Sequence, residues 1–96
     1  MAIEDLLQQK RAEILNITRQ HGGHNVRVFG SAARGDAGPD SDIDFLIDLE
    51  PDRSLLDMGG LLMDLQGLLQ RKVDIVTEKG LHWYIKDRVL QEARPL

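Results

Sequence analysis

The chain has 96 residues, of which 42% are hydrophobic and 29% are charged, and its formal net charge is −4. This balance is typical of an ordinary folded protein and argues against intrinsic disorder. A chain of this length supports one modest core, so we expect a single domain over residues 1–96 without a separate substrate-binding domain. The acidic excess argues against a protein whose main task is to hold duplex nucleic acid, since such domains carry a basic field.

The absence of cysteine excludes disulfides, thiol catalysis and cysteine-based zinc sites. The N-terminal segment is charged and amphipathic, and it lacks the continuous apolar stretch of a signal peptide or a transmembrane helix. We therefore expect a cytoplasmic protein with no membrane partner.

Hydrophobic periodicity predicts one helix and two strands in the first half of the chain. An apolar stripe with helical spacing predicts a helix over residues 3–21, which ends at Gly22 and Gly23. The β-branched and aromatic runs 25–30 and 42–49 predict two strands joined by a short loop.

The second half predicts a helix, a strand and a helix. Ser54 is a candidate N-cap for a helix over residues 55–70, whose main leucine stripe begins at Leu55. Residues 72–77 form a third β-rich run, and residues 81–93 form a last helix. The order αββαβα indicates an α/β (α+β) fold in which helices cover a small mixed β-sheet.

Three aspartates lie on the predicted strands. Asp42 and Asp44 point to the same face, because side chains alternate along a strand, and two ionised carboxylates side by side repel. A cation bound by both removes the repulsion, and oxygen ligands favour Mg²⁺ or Mn²⁺. Asp74 interrupts an apolar strand, where a buried unpaired acid is costly. If the two strands are neighbours, the three carboxylates can hold two divalent ions about 4 Å apart, which suits phosphoryl or nucleotidyl transfer.

The residues that precede this acidic pair are of the kind that binds phosphate. Gly30 permits close backbone approach, and Ser31 offers both a hydroxyl and a backbone N–H. A helical turn that starts at Ala32 would add free N–H groups that favour an anion. Arg34 is a candidate phosphate clamp, with a surface salt bridge as the even alternative. Neither G-x-G-x-x-G nor a P-loop lysine motif occurs in the sequence, so a Rossmann or P-loop nucleotide site is unsupported.

One motif consists of Gly30-Ser31, a spacer of ten residues, and Asp42-Ile43-Asp44. It resembles the signature of the DNA polymerase beta-like nucleotidyltransferase superfamily. The local sequences FGSAARG and SDIDF are similar to those of the minimal nucleotidyltransferases (MNT), the antitoxins of HEPN/MNT toxin–antitoxin pairs. The resemblance covers nearly the whole chain and implies the polymerase beta-like fold. It also implies that Asp42, Asp44 and Asp74 bind metal and that Gly30 and Ser31 bind the nucleoside triphosphate.

The same resemblance implies an activity and a partner. Proteins of this kind are similar to protein adenylyltransferases, which transfer AMP from ATP to a tyrosine of the cognate HEPN RNase toxin and silence it. The implied protein is a Mg²⁺-dependent enzyme that forms a hetero-oligomer with its toxin. From the acidic net charge we expect no direct contact with nucleic acid. The alternative is a non-catalytic antitoxin that neutralises the toxin by binding alone.

Two apolar surfaces are candidate contact sites for a partner. On the predicted helix 55–70, a second face of small and apolar residues lies opposite the leucine stripe: Leu56, Gly60, Met63 and Gly67. This face forms only if Gly59 and Gly60 do not break the helix. Trp83 and Leu90 form a patch on the last helix, for which burial in the core is the even alternative.

Overall fold

The computed structural model describes residues 2–38 and 40–96. Its helices and strands follow one another in a mixed order. They are α1 (Ile3–Gln9), α2 (Arg11–Gln20), β1 (Gly23–Phe29), α3 (Ser31–Arg34), β2 (Ile43–Leu49), α4 (Leu55–Leu69), β3 (Val73–Val76), a 3₁₀ turn (Glu78–Gly80), α5 (Trp83–Glu92) and β4 (Arg94–Pro95). No helix of these two ranges is long and apolar enough to span a membrane.

The strands form one mixed sheet with the spatial order β3-β2-β1-β4. β1 pairs antiparallel with both β2 and β4, whereas β2 pairs parallel with β3. A parallel neighbour requires a crossover connection, and α4 supplies it between β2 and β3. The prediction of a small mixed sheet in an α/β (α+β) fold is thereby confirmed.

The main core lies on one face of the sheet, where the strands pack against α1, α2 and α4. Its largest fully buried side chain is Phe45 of β2. The buried members of this core are Ile3, Leu7, Ile14, Val26, Val28, Ala32, Ala33, Ile43, Phe45, Ile47, Leu61, Leu65, Leu69 and Val73. Strand alternation turns Asp44, Leu46 and Asp48 to the opposite face, where Leu46 is fully buried.

Two predicted elements differ in their bounds. The single helix predicted over residues 3–21 is divided at Lys10, which leaves helical geometry with φ −98° and ψ 7°. Neither glycine nor proline marks this position, so no local signal predicts the break. Strand β4, which pairs Arg94 and Pro95 with the edge of β1, was also not predicted. A two-residue strand carries no alternation by which a sequence pattern could reveal it.

Helix α4 is continuous through Gly59 and Gly60, so the two glycines do not break it. Leu56 and Met63 are 88% and 69% exposed, as the predicted second face requires. Gly60, however, lies against the His21 ring, and the face is therefore interrupted there. The prediction that Leu55 belongs to the core stripe is wrong, because this side chain in the first turn is 83% exposed.

The aromatic residues at the start of α5 are exposed. Trp83 is 85% and Tyr84 66% exposed, and their rings meet edge to face with centroids 5.8 Å apart. Leu90 is 36% exposed. Core burial of Trp83, the even alternative at the level of sequence, is thereby excluded within the described chain.

Candidate active site

The strand register brings the predicted acidic residues together at one end of β2. In the parallel pairing of β2 with β3, Asp44 lies directly opposite Asp74, and opposite residues in register share a face of the sheet. Asp42 lies one residue before β2 begins. Asp44 is half-buried, whereas Asp42 and Asp74 are exposed. Folding therefore brings one half-buried and two exposed carboxylates to the start of β2.

The Gly30–Ser31 segment meets these carboxylates through the neighbouring strand. Phe29, the last residue of β1, pairs with Asp44, and Gly30 follows at once. Gly30 has a φ of +69°, and a Cβ at this position would overlap the Asp44 carboxylate. The position thus requires glycine both for its backbone conformation and for the space that Asp44 occupies.

The residues after Gly30 form the helical turn that the sequence suggested. The N–H groups of Ala33 and Arg34 donate to the Gly30 carbonyl at 3.1 and 3.0 Å. The buried Ala32 and Ala33 fix the turn to the core, and Gly35, with a φ of +80°, ends it. The first N–H groups of such a turn have no acceptor within it, so those of Ser31 and Ala32 can serve an anion.

The electrostatics of the site centre on Asp44. Burial, followed by the negative charges of Asp74 and Asp42, raises the pKa of Asp44 to about 6, although the charge of Arg34 acts in the opposite direction. The ionised form of this acid is therefore disfavoured while no cation is bound. This is the condition under which a divalent cation improves the energy of a carboxylate cluster.

The three carboxylates fit a hard cation by their chemistry, since all their donors are oxygen atoms. In the described ranges, no three His, Asp or Glu side chains stand close enough together to hold a metal ion as they are. The register brings the strands that carry the acids together, and ligation would need side-chain rotation, above all of the exposed Asp42 and Asp74. The assignment of Asp42, Asp44 and Asp74 as metal ligands remains a prediction.

Arg34 is occupied by protein carboxylates. Its Nε donates to Asp36 at 3.2 Å and its Nη1 to Glu92 of α5 at 3.1 Å, and these hydrogen bonds raise the pKa of the guanidinium above its usual value. The salt-bridge alternative is therefore present in this structure. A nucleotide would have to compete with Asp36 and Glu92 for this side chain, so its role as a phosphate clamp remains a prediction.

Arg71, which the sequence analysis did not select, contacts the loop between the Gly30–Ser31 turn and Asp42. The Nη2 atom of Arg71 donates to the carbonyls of Gly38 and Ser41 at 2.8 and 3.0 Å. An arginine between a helix and a strand has no distinctive pattern, and its partners lie about thirty positions away. Only the folded chain reveals this contact.

A cleft lies away from these residues. It has a volume of about 570 Å³ at the far end of β2 and is lined by residues such as Glu50, Lys79 and Lys86, and by none of the predicted site residues. Asp48, at its edge, accepts hydrogen bonds from Arg27 at 2.9 Å and from Asn25 at 3.0 Å. Asp48 is thus paired with Arg27.

Comparison with known proteins identifies the family. Residues 11–96 match the family model of the nucleotidyltransferase domain. The chain belongs to this family. The nucleotidyltransferase is 38% identical over 91 residues to protein adenylyltransferase MntA of Thermococcus cleftensis, which covers 95% of this chain and 89% of the relative. It is 36% identical over 87 residues to MJ0435, a candidate protein adenylyltransferase of Methanocaldococcus jannaschii, which covers 91% of this chain and 94% of that one.

Solved structures agree with this membership. A candidate minimal nucleotidyltransferase superposes with a TM-score of 0.88 and 47% identity, covering 100% of this chain and 97% of its own. A toxin–antitoxin crystallised with AMP-PNP gives a TM-score of 0.75 over 88% of this chain and 69% of that one, and at 20% identity it shows the fold alone. The predicted family, its fold and the assignment of the chain as a nucleotidyltransferase enzyme are confirmed.

Proposed function

We propose that this nucleotidyltransferase is an antitoxin that transfers AMP from ATP to a tyrosine of a cognate HEPN-type toxin. Its relatives include proteins named protein adenylyltransferase, and one related fold is that of a toxin–antitoxin. The observation that carries the proposal is the register of Asp44 with Asp74, directly beside Gly30. This arrangement supports the proposal, because a turn with free N–H groups beside paired carboxylates suits the transfer of a nucleotidyl group.

Asp42, Asp44 and Asp74 would hold Mg²⁺, and their number allows for two ions. When bound, magnesium neutralises charge on the phosphates and on the departing pyrophosphate. The raised pKa of Asp44 supports this role, because a nearby cation would favour the ionised form that metal binding needs.

The residues of the turn would bind the phosphates. Gly30 lets the backbone approach closely, and Ser31 offers its hydroxyl and N–H to the β- and γ-phosphates of ATP. Arg34 would add a guanidinium to the same phosphates after it leaves Glu92.

The acceptor is proposed to be a tyrosine hydroxyl. Its oxygen forms a bond to the α-phosphorus, the bond from that phosphorus to the bridging oxygen breaks, and pyrophosphate leaves. Asp74, exposed on β3, is the acid best placed to accept the hydroxyl proton. The toxin would bring its own recognition surface.

Binding without catalysis is the second candidate. The exposed Leu55, Leu56 and Met63 on α4 favour it, because large apolar side chains exposed on one helix can mark a contact with another protein. Under this hypothesis the toxin is neutralised by the complex alone, and the acidic residues are dispensable.

The deciding experiment is intact-mass spectrometry of the toxin after co-expression with this chain. We expect the wild type to add the mass of one or more adenylyl groups, and Asp42→Asn/Asp44→Asn to add none. The exposed Asp52 makes no ion pair in the described chain, so Asp52→Asn is the matched control and should modify the toxin like the wild type. A toxin that stays unmodified yet silenced with the wild type would contradict catalysis and favour neutralisation by binding.

A further inference from the structure

Arg71 connects two parts of the nucleotidyltransferase that carry the acidic residues. It lies between α4 and β3, three positions before Asp74, and its side chain reaches the loop before Asp42. One atom, Nη2, donates to both the Gly38 and Ser41 carbonyls. Arg71 is half-buried and makes no ion pair within residues 2–38 and 40–96, so its described hydrogen bonds go to this loop.

The described residues of the loop that Arg71 contacts are also hydrogen-bonded to one another. The Gly38 N–H donates to Ser41 Oγ at 2.9 Å, and the Ser41 N–H donates to the Gly38 carbonyl at 3.1 Å. Both bonds are internal to the turn, so they shape it without fixing it to the rest of the protein. Beside the packing of Ala37 against the core, Arg71 connects Gly38 and Ser41 to the segment before β3.

The Arg71 contact lies where β2 and β3, the strands that carry Asp44 and Asp74, begin. The Ile43 N–H donates to the Lys72 carbonyl at 3.0 Å, and this backbone bond begins the pairing of β2 with β3. Arg71 adds side-chain bonds just beside it, on the other side of Asp42. The exposed Asp42 is therefore held between a backbone bond at Ile43 and the Arg71 contact at Ser41.

We propose that Arg71 is a positioning residue that fixes the backbone before Asp42, so that its carboxylate can reach the cation shared with Asp44 and Asp74. This inference rests on the metal site of the proposed function. An arginine suits this contact, because one planar NH₂ with two hydrogens in fixed directions meets two carbonyls at once. A lysine has a single ammonium on a flexible stem and holds the same pair less firmly.

The test combines amide hydrogen exchange with titration of the full chain by Mn²⁺, followed by thermal unfolding. Arg71→Met should speed exchange at the amides of Ser41 and Ile43. It should also raise the Mn²⁺ concentration that gives half-maximal stabilisation by roughly 10- to 100-fold, the range for residues that orient metal ligands. Arg71→Lys should lie between Arg71→Met and the wild type.

The matched control is Arg11→Met. Arg11 also donates to a main-chain oxygen, that of Leu96 at 2.9 Å, but the bond joins α2 to the C-terminal residue. This variant should leave both the Mn²⁺ midpoint and the exchange at Ser41 unchanged. If Arg71→Met does not fold, Arg71→Lys serves in its place, with a several-fold increase in the midpoint expected.

Two results would overturn the positioning role while leaving the proposed function intact. One is unchanged exchange at Ser41 and Ile43. The other is faster exchange with an unchanged Mn²⁺ midpoint, because Arg71 would then be merely structural. A wild type that is not stabilised by Mn²⁺ at all would instead remove the metal site, and the positioning role with it.

Discussion

Asp44 is the residue on which most constraints of the site act. It pairs with Phe29 on one side and with Asp74 on the other, and its carboxylate occupies the space that a side chain at residue 30 would need. The same position explains its raised pKa, since the surroundings remove water and add two negative charges. The residue is thus electrostatically unfavourable in the free protein and well suited to a cation.

Asp44 should make the stability of the metal-free protein depend on pH. The pKa of Asp44 is raised from 3.8 to about 6, so between these values the folded state binds more protons than the unfolded state. The contribution of Asp44 to stability is therefore fully present below pH 3.8 and is lost as pH rises through about 6. We expect Asp44→Asn to raise the free energy of unfolding at pH 7 by about 1 kcal/mol, after allowance for solvent screening at a half-buried site.

Thermal unfolding without metal at pH 3.5, 5 and 7 checks this prediction. The Tm gain of Asp44→Asn should be largest at pH 7, about 4–8 °C, and absent at pH 3.5. The exposed Asp52→Asn serves as control and should change little at any of these pH values. A gain of equal size at all three would show that the charge of Asp44 is not its cause.

The sequence indicates candidate site residues, but it does not show which distant groups their side chains contact. Gly30, Ser31 and Asp44 follow from local requirements, namely a backbone that approaches an anion and acids on one face of a strand. The contact of Arg34 with Glu92 joins residues 58 positions apart, and that of Arg71 with Gly38 joins residues 33 apart. Nothing local distinguishes these arginines from solvated ones.

In helix α4, a capping box at the N-terminus offsets the destabilising effect of two interior glycines. Gly59 and Gly60 each cost about 1 kcal/mol relative to alanine in a helix, yet the helix runs through both. Its start has a capping box, in which the Leu56 N–H donates to Ser54 Oγ at 3.2 Å and the Ser54 N–H donates to Asp57 at 2.9 Å. Its inner leucines bury the face that points to the sheet.

Removal of this cap should destabilise the protein. Ser54→Ala deletes the acceptor for the Leu56 N–H, and we expect a loss of about 1 kcal/mol in the free energy of unfolding. Urea denaturation should show a lower midpoint at an unchanged m-value. Ser54→Asp, which keeps an acceptor oxygen, should restore most of the loss. An unchanged midpoint for Ser54→Ala would mean that the hydrogen bond from Leu56 N–H to Ser54 Oγ adds nothing measurable to stability.

At the scale of the whole molecule, the two faces of the sheet have separate tasks. One face packs against α1, α2 and α4 and holds the main core, whereas the other presents Asp44 and Asp74. Because alternate residues of β2 face opposite ways, the same strand serves both faces. The site is therefore carried by a strand whose other face is the most buried part of the protein.

This division predicts different responses on the two sides of α4. Leu65 is 1% exposed in the core, so Leu65→Ala should lower the free energy of unfolding by about 2–5 kcal/mol, a large share of what a domain of this size has. Met63, two residues earlier, is 69% exposed. Met63→Ala should therefore change the free energy of unfolding by no more than about 0.5 kcal/mol. Chemical denaturation of both variants checks the pair. Similar losses in the two would contradict the observed orientation of α4.

The sequence by itself determined the fold class, the family and the residues of the acidic and glycine–serine motifs, because these depend on periodicity and on short spacings along the chain. Tertiary structure decided the register of Asp44 with Asp74, the partners of Arg34 and Arg71, the break at Lys10 and the exposure of Leu55. Each of these depends on which distant segments meet. These contacts between distant segments depend on how the whole core packs, and no local sequence pattern encodes that packing.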